Sequence, residues 1–519
     1  MGNNRTSHET RSDHTCAPAV CDNRQPSIRL EDLPRDVLYK ILSKLPSKEI
    51  ARTRVLSSGW SWSTCPRLTF DGVSVCKCDR ADLHQLIGKF IHEVNAVLQK
   101  HQGMVVETLE VRIDFVNDLL IHHLNNWVGF AVSSLTKNLT LDLKPDRFWE
   151  YRDRYVFPFE ILDTESILRL QQMQLSFLSL KPPAHFKGFP NLRKLHIQSL
   201  HVSRKDLEHM LFHCCNLEWL RIDRCDLNDE IIMDGSMSRL LYLHIECCKL
   251  TRIKLLAVNL VTFLYEGTFI PIDLSHSSKL ENAYIRFREA GFQHAVTSLL
   301  SGLPYVQNLT LRIAWQHLEV CSCNILEVTV CLTCLADYSL TCFLFQKQWM
   351  WDNPLKFSHL RHLQLFFSTY PKDVEKVLYL VSLLKATPFV EKLEIHFSGD
   401  PLWLADVGPR RQELGQCKYS SLKDVCITGF KGARGQVELL LHVLENAPAL
   451  EVVIVNTNQK ASKEFWPYGG TGPPFEEAKR IALTSLSTAL PLNTALKGSR
   501  NYEALPAPGW IFQSSCEAA

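Results

Sequence analysis

Asn191-Leu192-Arg193-Lys194-Leu195-His196-Ile197 is followed 25 residues later by Asn216-Leu217-Glu218-Trp219-Leu220-Arg221-Ile222. After a further 23 residues comes Arg239-Leu240-Leu241-Tyr242-Leu243-His244-Ile245. Each stretch places apolar residues at i, i+3 and i+5. On a strand, side chains alternate between faces, so the i+3 and i+5 residues share one face. The first apolar residue then packs at the turn into the strand. A strand this short cannot bury a face by itself, so the recurrence predicts that neighbouring copies bury one another.

The same triplet recurs as Leu260-Phe263-Tyr265, Leu280-Ala283-Ile285, Val306-Leu309-Leu311 and Leu360-Leu363-Leu365. It continues as Val390-Leu393-Ile395, Leu422-Val425-Ile427 and Leu450-Val453-Val455. Weaker copies are read at Val106-Leu109-Val111 and Leu175-Leu178-Leu180, and a doubtful one at Ile325-Val328-Val330. In a chain that is 46% hydrophobic, one match means little. The spacing is informative, because successive copies mostly lie about 20 to 32 residues apart, the range of leucine-rich repeats. Pro190, Pro304, Pro388 and Pro448 each precede a triplet by two residues. Helix-like stretches such as 373–385 and 435–446 come before such prolines, which help to end them. The expected unit is therefore helix, short turn, strand.

Composition agrees with one long array. The chain has 519 residues and 77 leucines, a length that suits three or four ordinary domains or a single elongated repeat. With 57 basic and 55 acidic residues the formal net charge is +2. That argues against nucleic acid as the main partner, which needs a concentrated basic surface. No membrane span is expected, because no window of about eighteen residues is apolar throughout. The nearest candidate, 320–345, carries Glu327 and Asp337. Residues 1–27 are polar and hold no secretory apolar run, so an intracellular chain, in nucleus or cytoplasm, is expected. Met1-Gly2-Asn3-Asn4-Arg5-Thr6 fits the loose myristoylation pattern, with Cys16 and Cys21 as candidates for a second lipid. A disordered arm is the other reading of that segment.

Two short helices are expected ahead of the repeats. Val37, Leu38, Ile41, Leu42 and Leu45 form one helical stripe. Pro34 suits its first turn and Asp36 complements the dipole there. Pro46 stops the helix and Ser47 can cap a second, whose apolar side carries Ile50, Ala51, Val55 and Leu56. A pair this small cannot bury both faces alone and needs a partner.

Residues 28–46, with Leu33-Pro34 at their centre, resemble the first half of an F-box. Residues 48–58, ending Val55-Leu56-Ser57-Ser58, are similar to the second half in plant-type F-boxes. The resemblance implies docking on a Skp1-type adaptor, and through it a cullin. Leu33, Pro34, Leu38, Ile41, Leu42, Val55 and Leu56 would form or support the docking face. The chain departs from the pattern at Gly59, where a basic residue usually precedes the tryptophan, and by a short interval before Pro66. Farther on, Gly429-Phe430-Lys431-Gly432, a helix over 438–446 and Asn446-Ala447-Pro448-Ala449-Leu450-Glu451 resemble the FBD segment that ends many plant F-box/leucine-rich-repeat proteins. The resemblance implies capture of a target protein, with the concave strand face as binding surface. Trp315 and Trp403 are possible anchors or packing residues.

The 18 cysteines are too few for a disulfide scaffold. Cys225 and Cys248 occupy the repeat slot after the strand, where a small side chain fills the bend. Cys321, Cys323, Cys331 and Cys334 could close a tetrahedral zinc site, although their spacing matches no familiar module. The stronger reading of 319–348 is an insertion that interrupts the repeat. No GxSxG, GxxxxGK[ST] or HExxH motif is present. His122 and His123 are adjacent and point to different faces. No catalytic residue, cofactor or metal is assigned.

The expected fold is thus α/β, a small N-terminal helical F-box followed by a curved leucine-rich-repeat solenoid. The divisions are an arm at 1–27, the F-box at 28–72, the solenoid at 100–456 with the FBD-like part at 417–456, and an irregular or disordered tail at 457–519. The expected function is the substrate-recognition subunit of a Skp1-cullin-F-box ubiquitin ligase. The alternative is a protein-interaction scaffold that recruits no ligase.

Overall fold

The structure is a computed structural model. It describes residues 66–72, 83–101, 105–113, 118–143, 154–233, 237–288, 292–314, 357–369, 377–399 and 417–456, apart from 379 and 431. The short strands 496–497 and 509–513 and the positions Leu33, Pro34, Val37 and Lys40 are also described.

The triplets form the rungs of a 16-stranded sheet in which every neighbouring pair is parallel. Register is kept from rung to rung, so Leu195 lies beside Leu220 and Leu220 beside Leu243. Ile197, Ile222 and Ile245 follow in the same way. These residues and the leading Leu192, Leu217 and Leu240 are fully buried. Each unit therefore contributes three aliphatic side chains to one continuous core, each worth about 1.5–3 kcal/mol of burial. Where the triplet varies, the neighbour compensates in volume. Phe263 abuts the small Ala283 on the next rung. Tyr265 sends its hydroxyl to the Thr268 carbonyl at 2.7 Å, in space that a Cβ on Gly267 would occupy.

Backbone bonds tie the rungs together at both ends. At strand entry, one carbonyl accepts two N–H groups from the following unit. Arg193 O takes Glu218 and Trp219, Glu218 O takes Leu241 and Tyr242, and the pattern runs on to Lys423 O with Glu451 and Val452. At strand exit Phe177, Ser199, Arg224 and Cys247 adopt left-handed φ near +50°. Their N–H groups reach the carbonyl that ends the next strand, at 2.6–2.9 Å. Below the entry turn, Asn191 and Asn216 donate to the Leu168 and Pro190 carbonyls of the preceding unit, each at 2.8 Å.

The layer behind the sheet depends on repeat length. Helices return the chain at Arg204–Phe212, Phe292–Gly302, Leu380–Lys385 and Arg434–Asn446. The short units between them return instead through strands Asp229–Met233, Leu250–Leu255 and Ile272–Asp273, which form a second parallel sheet. The helix-turn-strand unit expected throughout therefore holds only for the longer repeats. A strand advances about 3.3 Å per residue against 1.5 Å for a helix, so it crosses the layer with fewer residues.

Several boundaries differ from the sequence reading. The first rung is Arg67–Asp71, paired with Thr108–Arg112, inside the stretch assigned to the F-box. Helix Leu83–Lys100 follows it and packs on Asp118–Ser133, with Phe90 edge-on to Trp127 at 5.9 Å. The weak copy at Leu175-Leu178-Leu180 is off register. The rung is Gln172–Ser176, with Met173 and Leu175 inward, and left-handed Phe177 turns the chain before Leu178. All three leucines are buried, which is why they imitate a triplet. The rung Thr136-Leu139-Leu141 is missed because its first residue is polar, although Thr136 is buried. Asn308–Ala314 and His362–Thr369 are direct neighbours, so the ladder has no rung between them. The Ile325 copy and the four-cysteine cluster lie outside the described residues. In the tail, read as irregular or disordered, Gly509–Gln513 pairs with Val452–Asn456 and Leu496–Lys497 pairs with it in turn. Trp510-Ile511-Phe512 is a strand-prone run, and it covers an edge that would otherwise expose unpaired backbone groups.

Gly429 closes the corner after rung Asp424–Thr428 with φ +66°, and a Cβ there would stand 2.1 Å from the Phe397 carbonyl oxygen. Gly429→Ala is expected to lower stability by about 2 kcal/mol or more in urea unfolding. Gly88, on helix Leu83–Lys100 with nothing within 4 Å of an added Cβ, gives the opposite sign. Gly88→Ala is expected to stabilise by about 0.5–1 kcal/mol.

Candidate functional site

Of the residues assigned to adaptor docking, the structure describes Leu33, half-buried, and Pro34, exposed. Val37, exposed and on the same stripe, donates its N–H to the Pro34 carbonyl at 3.0 Å. That is the first-turn geometry expected of a helix opened by proline. Leu38, Ile41, Leu42, Val55 and Leu56 lie outside the described residues, as do Trp315 and Trp403. His122 is exposed and His123, half-buried, bonds Asn95 at 3.2 Å.

The ladder leaves one sheet face open. Because inward residues occupy every second position, the outward ones stand in three register-aligned rows. The middle row reads His196, Arg221, His244, Leu264, Tyr284, Thr310, Gln364 and Glu394 from rung to rung. Towards the first rungs, a groove of about 540 Å³ is lined by residues that include Thr108, Asn138, Gln172, Lys194, His196 and Trp219. Its walls are rich in side-chain amides and hydroxyls, which both donate and accept hydrogen bonds.

An aromatic centre follows. Trp219 and Tyr242 stack with centroids 5.3 Å apart and planes 6° from parallel. His196 meets Trp219 edge-on, and His244 meets Tyr242 in the same way. Burial first, and then the Arg221 guanidinium between them, pushes both imidazoles down to about 4. They are neutral at neutral pH, so the imidazoles add no charge beside Arg221. Arg221 itself bonds Glu246 at 2.8 Å, and Gln198 bonds the buried Asp223 at 2.7 Å.

Farther along, Glu394 gathers a polar network. His362 is 3.1 Å from one carboxylate oxygen and Lys392 2.7 Å from the same one, while Gln364 and His396 reach the other at 3.0 and 3.3 Å. The bonds from His362 and His396 hold the carboxyl far below its usual range against the opposing effect of burial, and Lys392 adds to them. His396 continues to Thr428 at 2.9 Å and Gln364 to Thr310 at 3.1 Å. A network this fully bonded locks the register of adjacent rungs rather than priming a proton for transfer.

Cys225 and Cys248 are buried in the bends after their strands, as the repeat slot implies. Cys248 Sγ accepts the Cys225 N–H at 3.5 Å. Burial raises the Cys214 thiol to about 12, so it is inert at neutral pH. Among the described residues, no group of three or more His, Cys, Asp or Glu side chains is placed to hold a metal. No helix among them is long and apolar enough to cross a membrane. The open face offers aromatic anchors, amides and paired charges, the chemistry of a surface that holds another protein.

Comparison with known proteins agrees with this division. The family described as "At1g61320/AtMIF1, LRR domain" matches residues 97–336 and 346–473, and its interruption falls inside the cysteine-rich segment. The F-box domain matches residues 30–61. Similar proteins of Arabidopsis thaliana include the F-box/FBD/LRR-repeat protein At1g13570, 24% identical over 435 residues. That alignment covers 83% of this chain and 91% of the relative. The F-box/FBD/LRR-repeat protein At4g26340 is 23% identical over 477 residues, covering 89% and 99% of the two chains. The FBD-associated F-box protein At5g60610 is 26% identical over 306 residues, covering 57% and 72%. With an F-box in front, a ladder of leucine-rich rungs behind it and relatives that carry both, the chain belongs to the plant F-box/leucine-rich-repeat proteins with a C-terminal FBD-like segment.

Proposed function

We propose that this protein is the substrate-recognition subunit of a Skp1-cullin-F-box ubiquitin ligase, acting inside the cell in nucleus or cytoplasm. The observation that carries the reading is the joining of an F-box at residues 30–61 to a sheet whose open face runs in register from Arg67 to Asn456. The F-box docks on a Skp1-type adaptor, and through it on a cullin, by Leu33, Pro34, Leu38, Ile41, Leu42, Val55 and Leu56. The open face holds the target, with Trp219 and Tyr242 as its anchors. This chain performs no bond chemistry, because other subunits transfer ubiquitin. Its contribution is proximity, since tethering a target near the loaded conjugating enzyme raises effective concentration.

Gly59, in the position that is usually basic, favours a second reading, a repeat scaffold that recruits no ligase. One experiment separates the two. Full-length protein is expected to co-purify with a Skp1-type adaptor, and Leu38→Asp with Leu42→Asp to abolish that recovery while leaving the thermal unfolding of the solenoid in place. Equal adaptor recovery by the two forms rejects the docking role. Trp219→Ala is expected to leave adaptor recovery unchanged and weaken target capture by about 2 kcal/mol or more, read as depletion of cross-linked proteins relative to wild type.

A further inference from the structure

Several outward arginines are bonded to a carboxylate. Arg112 is paired with Glu110, Arg221 with Glu246 and Arg286 with Glu266. Arg312, on the next rung, has no carboxylate bonded to it among the described residues. Its register neighbours are Arg286 on one side and Phe366 on the other, and its guanidinium lies 6.0 Å from the Phe366 ring centre. Like charges opposite one another on adjacent strands destabilise a sheet. Glu266, the carboxylate that favours the charge of Arg312, is already bonded to two other arginines. Glu266 Oε1 takes Arg286 at 3.1 Å and Arg288 at 2.9 Å.

Arg312 is only half-buried, so it is desolvated enough to strengthen an ionic contact and open enough to receive one. Burial, and then Arg286, act against its charge, while Glu266 favours it. Tyr284, which is 47% exposed, stands in the adjoining row beside Thr310. An anion seated between Arg312 and Arg286 would relieve the repulsion, with Tyr284 in the adjoining row.

We propose that Arg312 and Arg286 form a subsite for an oxyanion, a carboxylate or a phosphate, carried by the protein that the open face captures. The occupant's identity as part of a captured protein rests on the proposed function, whereas the anion contact does not. Two guanidiniums on neighbouring strands suit an anion with several oxygens, because each can bond a different one. Replacing a half-buried cation to which no carboxylate is bonded among the described residues removes a cost when no anion is bound. The subsite thus predicts opposite effects of one substitution on stability and on anion binding.

The test uses purified full-length protein without adaptor or target. Thermal unfolding is followed in sodium chloride, sodium phosphate and sodium acetate at matched ionic strength and neutral pH. General exclusion of phosphate from protein surfaces raises every form alike, so the readout is the difference between wild type and Arg312→Gln. The expected result is a melting temperature for R312Q at or above that of wild type in chloride. Phosphate or acetate is then expected to raise wild type by about 1 °C or more beyond any rise in R312Q. Arg361→Gln, on an exposed arginine bordered by Glu391, is expected to keep the wild-type response. A response to phosphate alone identifies a phosphorylated residue as the occupant, and a response to acetate as well identifies an acidic side chain. Equal anion responses in wild type and R312Q overturn the subsite, as does a marked fall of R312Q stability in chloride. Failed adaptor co-purification, by contrast, would reject the ligase reading and leave this outcome unaffected.

Discussion

A single carbonyl at the entry of each rung, bonded to two N–H groups of the next, is the contact on which the rest of this molecule depends. From Glu107 to Lys423 the same bifurcated bond recurs with little change in length. It fixes where each strand starts relative to its neighbour, and so places the i+3 and i+5 residues of successive units side by side. A buried backbone group left unpaired is costly, so no unit can slip without breaking bonds on both sides. The core of stacked leucines and isoleucines and the three outward rows both follow from that alignment.

The alignment explains why function sits on the open face. Residues far apart in sequence become register neighbours. Trp219 meets Tyr242 across one rung boundary, and Arg286 meets Arg312 across another. The inward positions cannot vary freely because each touches two neighbouring rungs. Outward positions carry no such demand, which allows the face to change from amide-rich to aromatic to arginine-rich along its length. Repeat length controls only the layer behind, where short units return by strand and long ones by helix.

Much of this was legible in the residues, for a physical reason. An i, i+3, i+5 triplet reports one strand face and its entry turn, both local in sequence. Leu192-Leu195-Ile197 and its relatives were therefore placed on the correct rungs. The pattern failed where local hydrophobicity had another cause or was lacking. Leu178 and Leu180 are apolar because they are buried beyond a left-handed corner at Phe177. Thr136 fills a core slot with a polar residue, and Arg67–Asp71 joins the ladder by pairing 41 positions down the chain. The outward face was the least readable part, since no local rule distinguishes His196 from a histidine elsewhere on the surface.

The sequence by itself determined the repeat, most of the inward residues and the resemblances that mark the helical module and the FBD-like segment, because each is written within a few neighbouring residues. The tertiary structure alone decided where the ladder begins and which units return by helix. It also decided which side chains share the open face. Those properties depend on the register between strands 20 or more residues apart, and the entry carbonyls set that register only when the chain is folded.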